Sequence, residues 1–201
     1  MSSAILDACI FGIVFSVDLL LLFGIRISIL FPRFRIWPPP RKDSWQFWIS
    51  WIFSSAGMVG APLVGILDLE TLGYYHWFRF LIGGLMIVIG GSFALWGTRT
   101  LSAYQSRGLK GKLVMNGPYQ YTRNPQYVGF IILYFGVILV LNSLMGLITG
   151  TVVVISFLLL PLSEEPWLRQ HYGKPYEEYC KKVPRFIGFR SVRLALEKNH
   201  L

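Results

Sequence analysis

The chain has 201 residues, of which 54% are hydrophobic and only 14% charged, with a formal net charge of +9. A soluble domain carries about a quarter charged residues, so this composition argues against one and for an all-α polytopic membrane protein. The positive charge is read as membrane-flanking Lys and Arg, which set topology and meet anionic lipid heads. No interleaved basic and aromatic nucleic-acid motif stands out.

The apolar runs are long enough to cross a bilayer, for which about 20 residues suffice. Ala4–Phe31 is the first predicted span; it lacks the basic start and small-residue cleavage site of a signal peptide and is read as uncleaved. Asp18 lies in its middle, as a functional acid or as a neutral hydrogen-bonding group. Trp45–Leu67 and Trp77–Trp96 follow. Trp37, Trp45, Trp48, Trp51, Tyr74, Tyr75, Trp77 and Trp96 cluster near span ends and are read as interfacial anchors. Gly83-Gly84, Gly90-Gly91 and Gly97 recur about every two turns and predict a smooth helix-packing face. Thr98–Ser106 is expected to continue this helix out of the membrane, and Arg107–Asn116 to form a basic loop.

Tyr127–Leu162 is apolar except at Asn142-Ser143. As one helix it would reach about 54 Å, against a hydrocarbon core of about 30 Å. A helical hairpin turning at Asn142-Ser143 fits instead, for about five spans. The polar tail is expected to form two short helices broken at Gly173, the first capped by Ser163. Three regions result: a scaffold over 1–106, a catalytic region over 107–190 and a polar, solvated extension over 191–201, together one structural domain.

The basic segments Arg33–Lys42, Arg99–Arg123 and Arg169–Lys198 then share one face, which the positive-inside rule makes cytosolic. The N-terminus is outside or lumenal, and the membrane is an inner, plasma or endoplasmic reticulum membrane. Cys9 and Cys180 fall on opposite sides, so no disulfide is expected between them. His76, His171 and His200 are scattered, and no metal site is expected.

The most informative segment is Gly117–Gly129, with Tyr119, Tyr121, Arg123, Asn124, Pro125, Gln126 and Tyr127. Asn124 is an N-cap type followed by Pro at a first helical position. The hairpin returns Ser163-Glu164-Glu165 to the same side, where two helix starts would meet. Aromatic faces and carboxylates suit an organic cation.

Leu113–Tyr119, Arg123–Gly129, Glu164-Glu165 and the run Tyr172–Arg185 resemble the isoprenylcysteine carboxyl methyltransferase and phospholipid methyltransferase superfamily. The resemblance implies a membrane enzyme that moves a methyl group from S-adenosylmethionine to a lipophilic acceptor, leaving S-adenosylhomocysteine. It implies cofactor contacts at Gly111, Lys112, Leu113, Val114, Tyr119, Asn124, Pro125, Gln126, Tyr127 and Glu164. Arg123 and Glu165 are the candidate catalytic residues, with Glu165 as base for an acceptor that must lose a proton. Asn124 stands where the isoprenylcysteine enzymes have His, which narrows the subfamily toward bacterial-type relatives; Leu160 stands where they carry Arg, and that departure points away from a prenylcysteine carboxylate. The expected partners are membrane lipids and the acceptor, which is a prenylcysteine-like carboxylate, a phospholipid amine or another amphiphile. A sterol-reductase-like enzyme using NADPH and a non-enzymatic scaffold or transport protein are the alternatives.

Overall fold

The computed structural model describes residues 3–188 together with 191, 194 and 196. Among them there are helices and no strands: α1 (Ser3–Leu30), α2 (Trp45–Leu67), α3 (Phe78–Thr100), α4 (Pro125–Leu141), α5 (Leu144–Tyr172) and α6 (Lys174–Lys182). Four of these, α1, α2, α3 and α5, are long and apolar enough to cross a membrane; α4 is a shorter apolar helix. At 17 residues α4 reaches about 26 Å, which makes it the shortest of the five apolar helices.

The hairpin turns at the expected pair. Asn142 ends α4 in the left-handed region at φ 52, a conformation Asn tolerates better than most residues. Ser143 then caps α5, its hydroxyl accepting the Gly146 N–H at 2.9 Å. The turn is tied to the α2–α3 loop. Asp68 accepts from the Ser143 hydroxyl at 2.8 Å, the Met145 N–H at 2.9 Å and the Thr71 hydroxyl at 2.7 Å. Glu70 pairs with the buried Arg79 and accepts from the Asn142 amide.

The recurring glycines pack as expected, but only one of each doublet is in close backbone contact. Gly83, Gly90 and Gly97 face α4, and a Cβ at Gly90 would come within 2.5 Å of the Leu133 backbone nitrogen. Gly129 answers from α4, where a Cβ would lie 2.3 Å from the nitrogen of Ala94. Gly84 meets nothing within 4 Å. α5 is the most buried of the long helices. Its Val153, Phe157 and Leu160 join Ile25, Ala61 and Tyr134 in the main core. Asp18 is buried, with no hydrogen-bond partner for either carboxylate oxygen.

Three local expectations are corrected. α3 stops at Thr100, because Leu101 is extended, and a separate 3-10 turn covers Gln105–Arg107. Ser163 caps nothing: α5 runs through it to Tyr172, and its hydroxyl donates back to the Leu160 carbonyl at 2.8 Å. The helix start expected there is absent, and Pro161 and Pro166 both lie inside one continuous helix. The break at Gly173 is present. Trp37 is no exposed anchor either; it is 9% exposed and part of the core.

At about 44 Å, the 29 residues of α5 outrun a hydrocarbon core of about 30 Å. Its C-terminal turns therefore stand beyond the apolar layer and carry Glu164 and Glu165. Of the extension over 191–201, only positions 191, 194 and 196 lie among the described residues; Ser191 is buried and Leu194 packs on the Tyr176 and Tyr179 cluster.

Candidate functional site

A cavity of about 780 Å³, counted to its open mouth, lies between the α1–α2 loop, the loop after α3, the start of α4, the end of α5, and α6.

One wall is built on Glu164. Its Oε1 accepts the indole N–H of Trp37 at 2.5 Å and the phenol of Tyr127. Oε2 takes part in neither bond. These donors arrive from the α1–α2 loop and from the first turn of α4, whose position Pro125 fixes at N1. Trp37 fits beneath the loop after α3 because residue 108 is glycine: its φ is 74, and a Cβ would lie 2.8 Å from the ring.

The loop itself is held at its base. Tyr172 donates to the Gly111 carbonyl at 2.9 Å, and the Gln105 amide donates to the Lys112 carbonyl at 2.5 Å. Leu113 packs against Tyr176 and Tyr179. Tyr179 donates in turn to the Tyr119 carbonyl at 2.5 Å. Burial, and then the Glu164 charge, pushes the Tyr119 phenol well above its ordinary range. Burial does the same first for Tyr176 and Tyr179. These rings stay neutral and line the cavity.

A second network lies behind the wall. Arg185 grips Glu165 at two points, Nε to Oε1 at 2.7 Å and Nη2 to Oε2 at 2.8 Å. Arg123 Nη1 is 3.1 Å from the same Oε1. Backbone bonds complete the clasp: the Arg123 N–H donates to Pro184, while the Thr122 hydroxyl and Asn124 amide both donate to the Arg185 carbonyl. The Asn124 side chain is thus spent on Arg185 and makes no cap bond to α4.

Of the residues singled out in the sequence, Lys112, Leu113, Val114, Tyr119, Arg123, Asn124, Gln126, Tyr127 and Glu164 line the cavity. Gly111 and Pro125 support it from outside, and Glu165 stands behind it in the clasp. Sequence reasoning missed Trp37, Gln105 and Trp167 as lining residues and Arg185 as a partner of Glu165. Only the Tyr172–Arg185 run carried a signal, and it gave no pairing. Among the described residues, no group of His, Cys, Asp or Glu is arranged to hold a metal ion.

Residues 78–175 match the phospholipid methyltransferase family model. Protein-S-isoprenylcysteine O-methyltransferase B of Arabidopsis thaliana is 33% identical over 57% of this chain and 61% of its own length. The protein-S-isoprenylcysteine O-methyltransferase of Schizosaccharomyces pombe is 29% identical over 71% of this chain and 53% of its own. Together these matches support the isoprenylcysteine and phospholipid methyltransferase superfamily for this chain. It spans between half and two thirds of the length of these relatives. No solved structure matches at a significant level. The superfamily match begins at α3 and ends at the start of α6, so Trp37 and Arg185 lie outside it.

Proposed function

We propose that the chain is an S-adenosylmethionine-dependent methyltransferase that acts on a lipophilic acceptor at the cytosolic membrane surface. The observation that carries this reading is the convergence of Trp37 and Tyr127 on one oxygen of Glu164, at the wall of a cavity lined in part by aromatic side chains.

The residues fit the cofactor's chemistry. Glu164 has an oxygen outside that convergence and suits an ammonium group. The faces of Tyr119, Tyr176 and Tyr179 suit an adenine ring or a sulfonium cation. Lys112 and Gln126 supply polar contacts. When bound, the cofactor would supply an electrophilic methyl group.

The protein's task is then alignment and exclusion of water more than bond activation. The cavity lies between the lipid-embedded hairpin and the polar tail, which lets an acceptor approach from the membrane while the cofactor enters from water. Glu165 is not proposed as a base: two guanidiniums hold it behind the cavity wall. With Glu164 holding the cofactor, an acceptor that needs no deprotonation is favoured, such as the carboxylate implied by the relatives' names. Leu160 lies in the core beside Ile25 and Trp37, so the chain has no arginine at that position to pair with a carboxylate. Arg123 and Lys112 are the basic side chains lining the cavity. The family assignment favours this reading over a reductase or a scaffold.

The test is incubation of purified protein in phosphatidylcholine nanodiscs with labelled S-adenosylmethionine, using a farnesylcysteine analogue and a membrane lipid extract as separate acceptors. A methylated lipophilic product by mass spectrometry is expected. Methylation of water-soluble molecules alone, or of none in either arm, contradicts the proposal.

A further inference from the structure

The segment between α1 and α2 docks on α5 at two successive places. Trp37 reaches Glu164 through its indole N–H. Two residues earlier, the guanidinium of Arg35 sits over the Trp167 ring, 5.6 Å from its centroid. Glu164 and Trp167 are three residues apart in α5, which makes them neighbours on one helix face. Trp167 lines the cavity. Its ring stacks on His171 one turn further along, with centroids 5.4 Å apart. Buried Ser28 of α1 accepts the N–H groups of Ile36 and Trp37 at 2.8 Å and 3.2 Å. Buried Ser50 of α2 donates to the Ile36 carbonyl at 3.1 Å. Ile36 is thus held at both its N–H and its C=O, and Arg35 and Trp37 flank it.

Arg35 is a cation without a counter-charge. It is half-buried, and among the described residues its guanidinium has neither an ion pair nor a hydrogen bond. Burial pulls it below its ordinary range, whereas Arg185, with Glu165 against it, is raised. The arginine that lines the cavity is already engaged: Arg123 Nη1 is shared between Glu165 and the Cys180 sulfur. A partly desolvated charge with no partner is unfavourable, and a bound anion offsets that cost.

We propose that Arg35 binds the carboxylate of the cofactor's amino-acid end, while Glu164 takes the ammonium of the same group. The inference rests on the cofactor reading above and adds a residue to it. The ligand follows from the charges. An α-amino acid carries its ammonium and its carboxylate on one carbon, so it needs an anion and a cation presented close together. Glu164 has an oxygen outside the Trp37 and Tyr127 bonds, and Arg35 is the unpartnered cation seated at the next turn of α5. A planar guanidinium meets a carboxylate at two points, and the indole under it fixes its plane. The family match begins only at residue 78, so the α1–α2 segment enters the site through Arg35 as well as through Trp37.

The experiment compares two ligands by calorimetric titration in phosphatidylcholine nanodiscs. One is S-adenosylhomocysteine. The other is its decarboxylated analogue S-adenosyl-3-thiopropylamine, which keeps the ammonium and lacks the carboxylate. Wild type is expected to prefer S-adenosylhomocysteine by about tenfold or more. Arg35→Gln should lose that preference by weakening S-adenosylhomocysteine alone, at an unchanged melting temperature, and Arg35→Lys should keep part of it. A preference that survives in Arg35→Gln overturns the proposal, and its loss in Lys112→Gln instead would give the carboxylate to Lys112. Equal weakening of both ligands in Arg35→Gln also overturns it, because that marks support of the Trp37 segment only. A farnesylcysteine analogue that loses affinity in Arg35→Gln while S-adenosylhomocysteine does not would assign Arg35 to the acceptor and overturn it as well. Wild-type binding of both ligands with equal affinity defeats the role of Arg35 and leaves the cofactor reading standing. Absence of S-adenosylhomocysteine binding by wild type defeats the cofactor reading and this inference with it.

Discussion

Glu165 and Arg185 face each other in a two-point ion pair, although the whole of α6 separates them in the chain. The pair joins the end of α5 to the segment after α6. With Arg123 on the same carboxylate, it also fixes the turn that presents Asn124 and Tyr127 to the cavity. The hydrogen bond to Glu165 raises the Arg185 guanidinium above its ordinary range.

Glu165→Gln is therefore expected to act on stability. Weakening one charge-assisted contact costs on the order of 1.5–3 kcal/mol, which in a chain of this size lowers the melting temperature by roughly 5 °C. Differential scanning fluorimetry in detergent measures it. An unchanged melting temperature with a hundredfold loss of turnover would instead make Glu165 a base.

The α3–α4 interface gives a paired test. Gly90→Ala forces a methyl group against the Leu133 backbone and is expected to destabilise strongly. Gly84→Ala points at open space and is expected to leave the melting temperature within about 2 °C. Equal effects of the two substitutions would contradict the packing described.

Much of this was legible in the sequence, and the failures share a cause. Apolar runs and the Asn142-Ser143 turn follow from local chemistry, so the spans and the hairpin could be read directly. The packing glycines could be read too, but not which member of each doublet packs, because two adjacent residues point a third of a turn apart. Trp37 was misread because a tryptophan at a span end looks the same in sequence whether it meets lipid heads or a buried carboxylate. Ser163 has the residue type of a cap, but inside a continuous helix its hydroxyl returns to Leu160. The partner of Glu165 could not be read either, because Arg185 is brought to it only by the turn at Gly173.

Acid should weaken the knot at the far end of the hairpin. Burial alone would raise the Asp68 carboxyl, but the Met145 N–H and the Thr71 and Ser143 hydroxyls outweigh it and hold it below its usual range. A lowered folded-state value gives stability that is full above the unfolded value of about 3.9 and is lost as pH falls through the folded one. Wild type should keep a constant melting temperature from pH 7 to pH 5 in respect of this group and lose it below about pH 4. Asp68→Asn should start lower and fall less over the acid range. Parallel curves for the two proteins would show that Asp68 contributes nothing.

Orientation can be read chemically. In a background with Cys9 and Cys180 replaced by serine, Leu72→Cys and Lys110→Cys are expected to react with a membrane-impermeant maleimide from opposite sides, Lys110→Cys from the cytosol. Labelling of both from one side would overturn the five-span arrangement.

Glu164 is tested most directly by calorimetric titration of S-adenosylhomocysteine into the detergent-solubilised wild type and Glu164→Gln. Glutamine keeps an oxygen for Trp37 and Tyr127, so the fold is retained and only the charge is lost. Saturable binding to wild type, weakened about tenfold or more in Glu164→Gln at an unchanged melting temperature, is the expected result. Equal affinity in both proteins, or no binding to wild type, would contradict Glu164 as the residue that holds the cofactor.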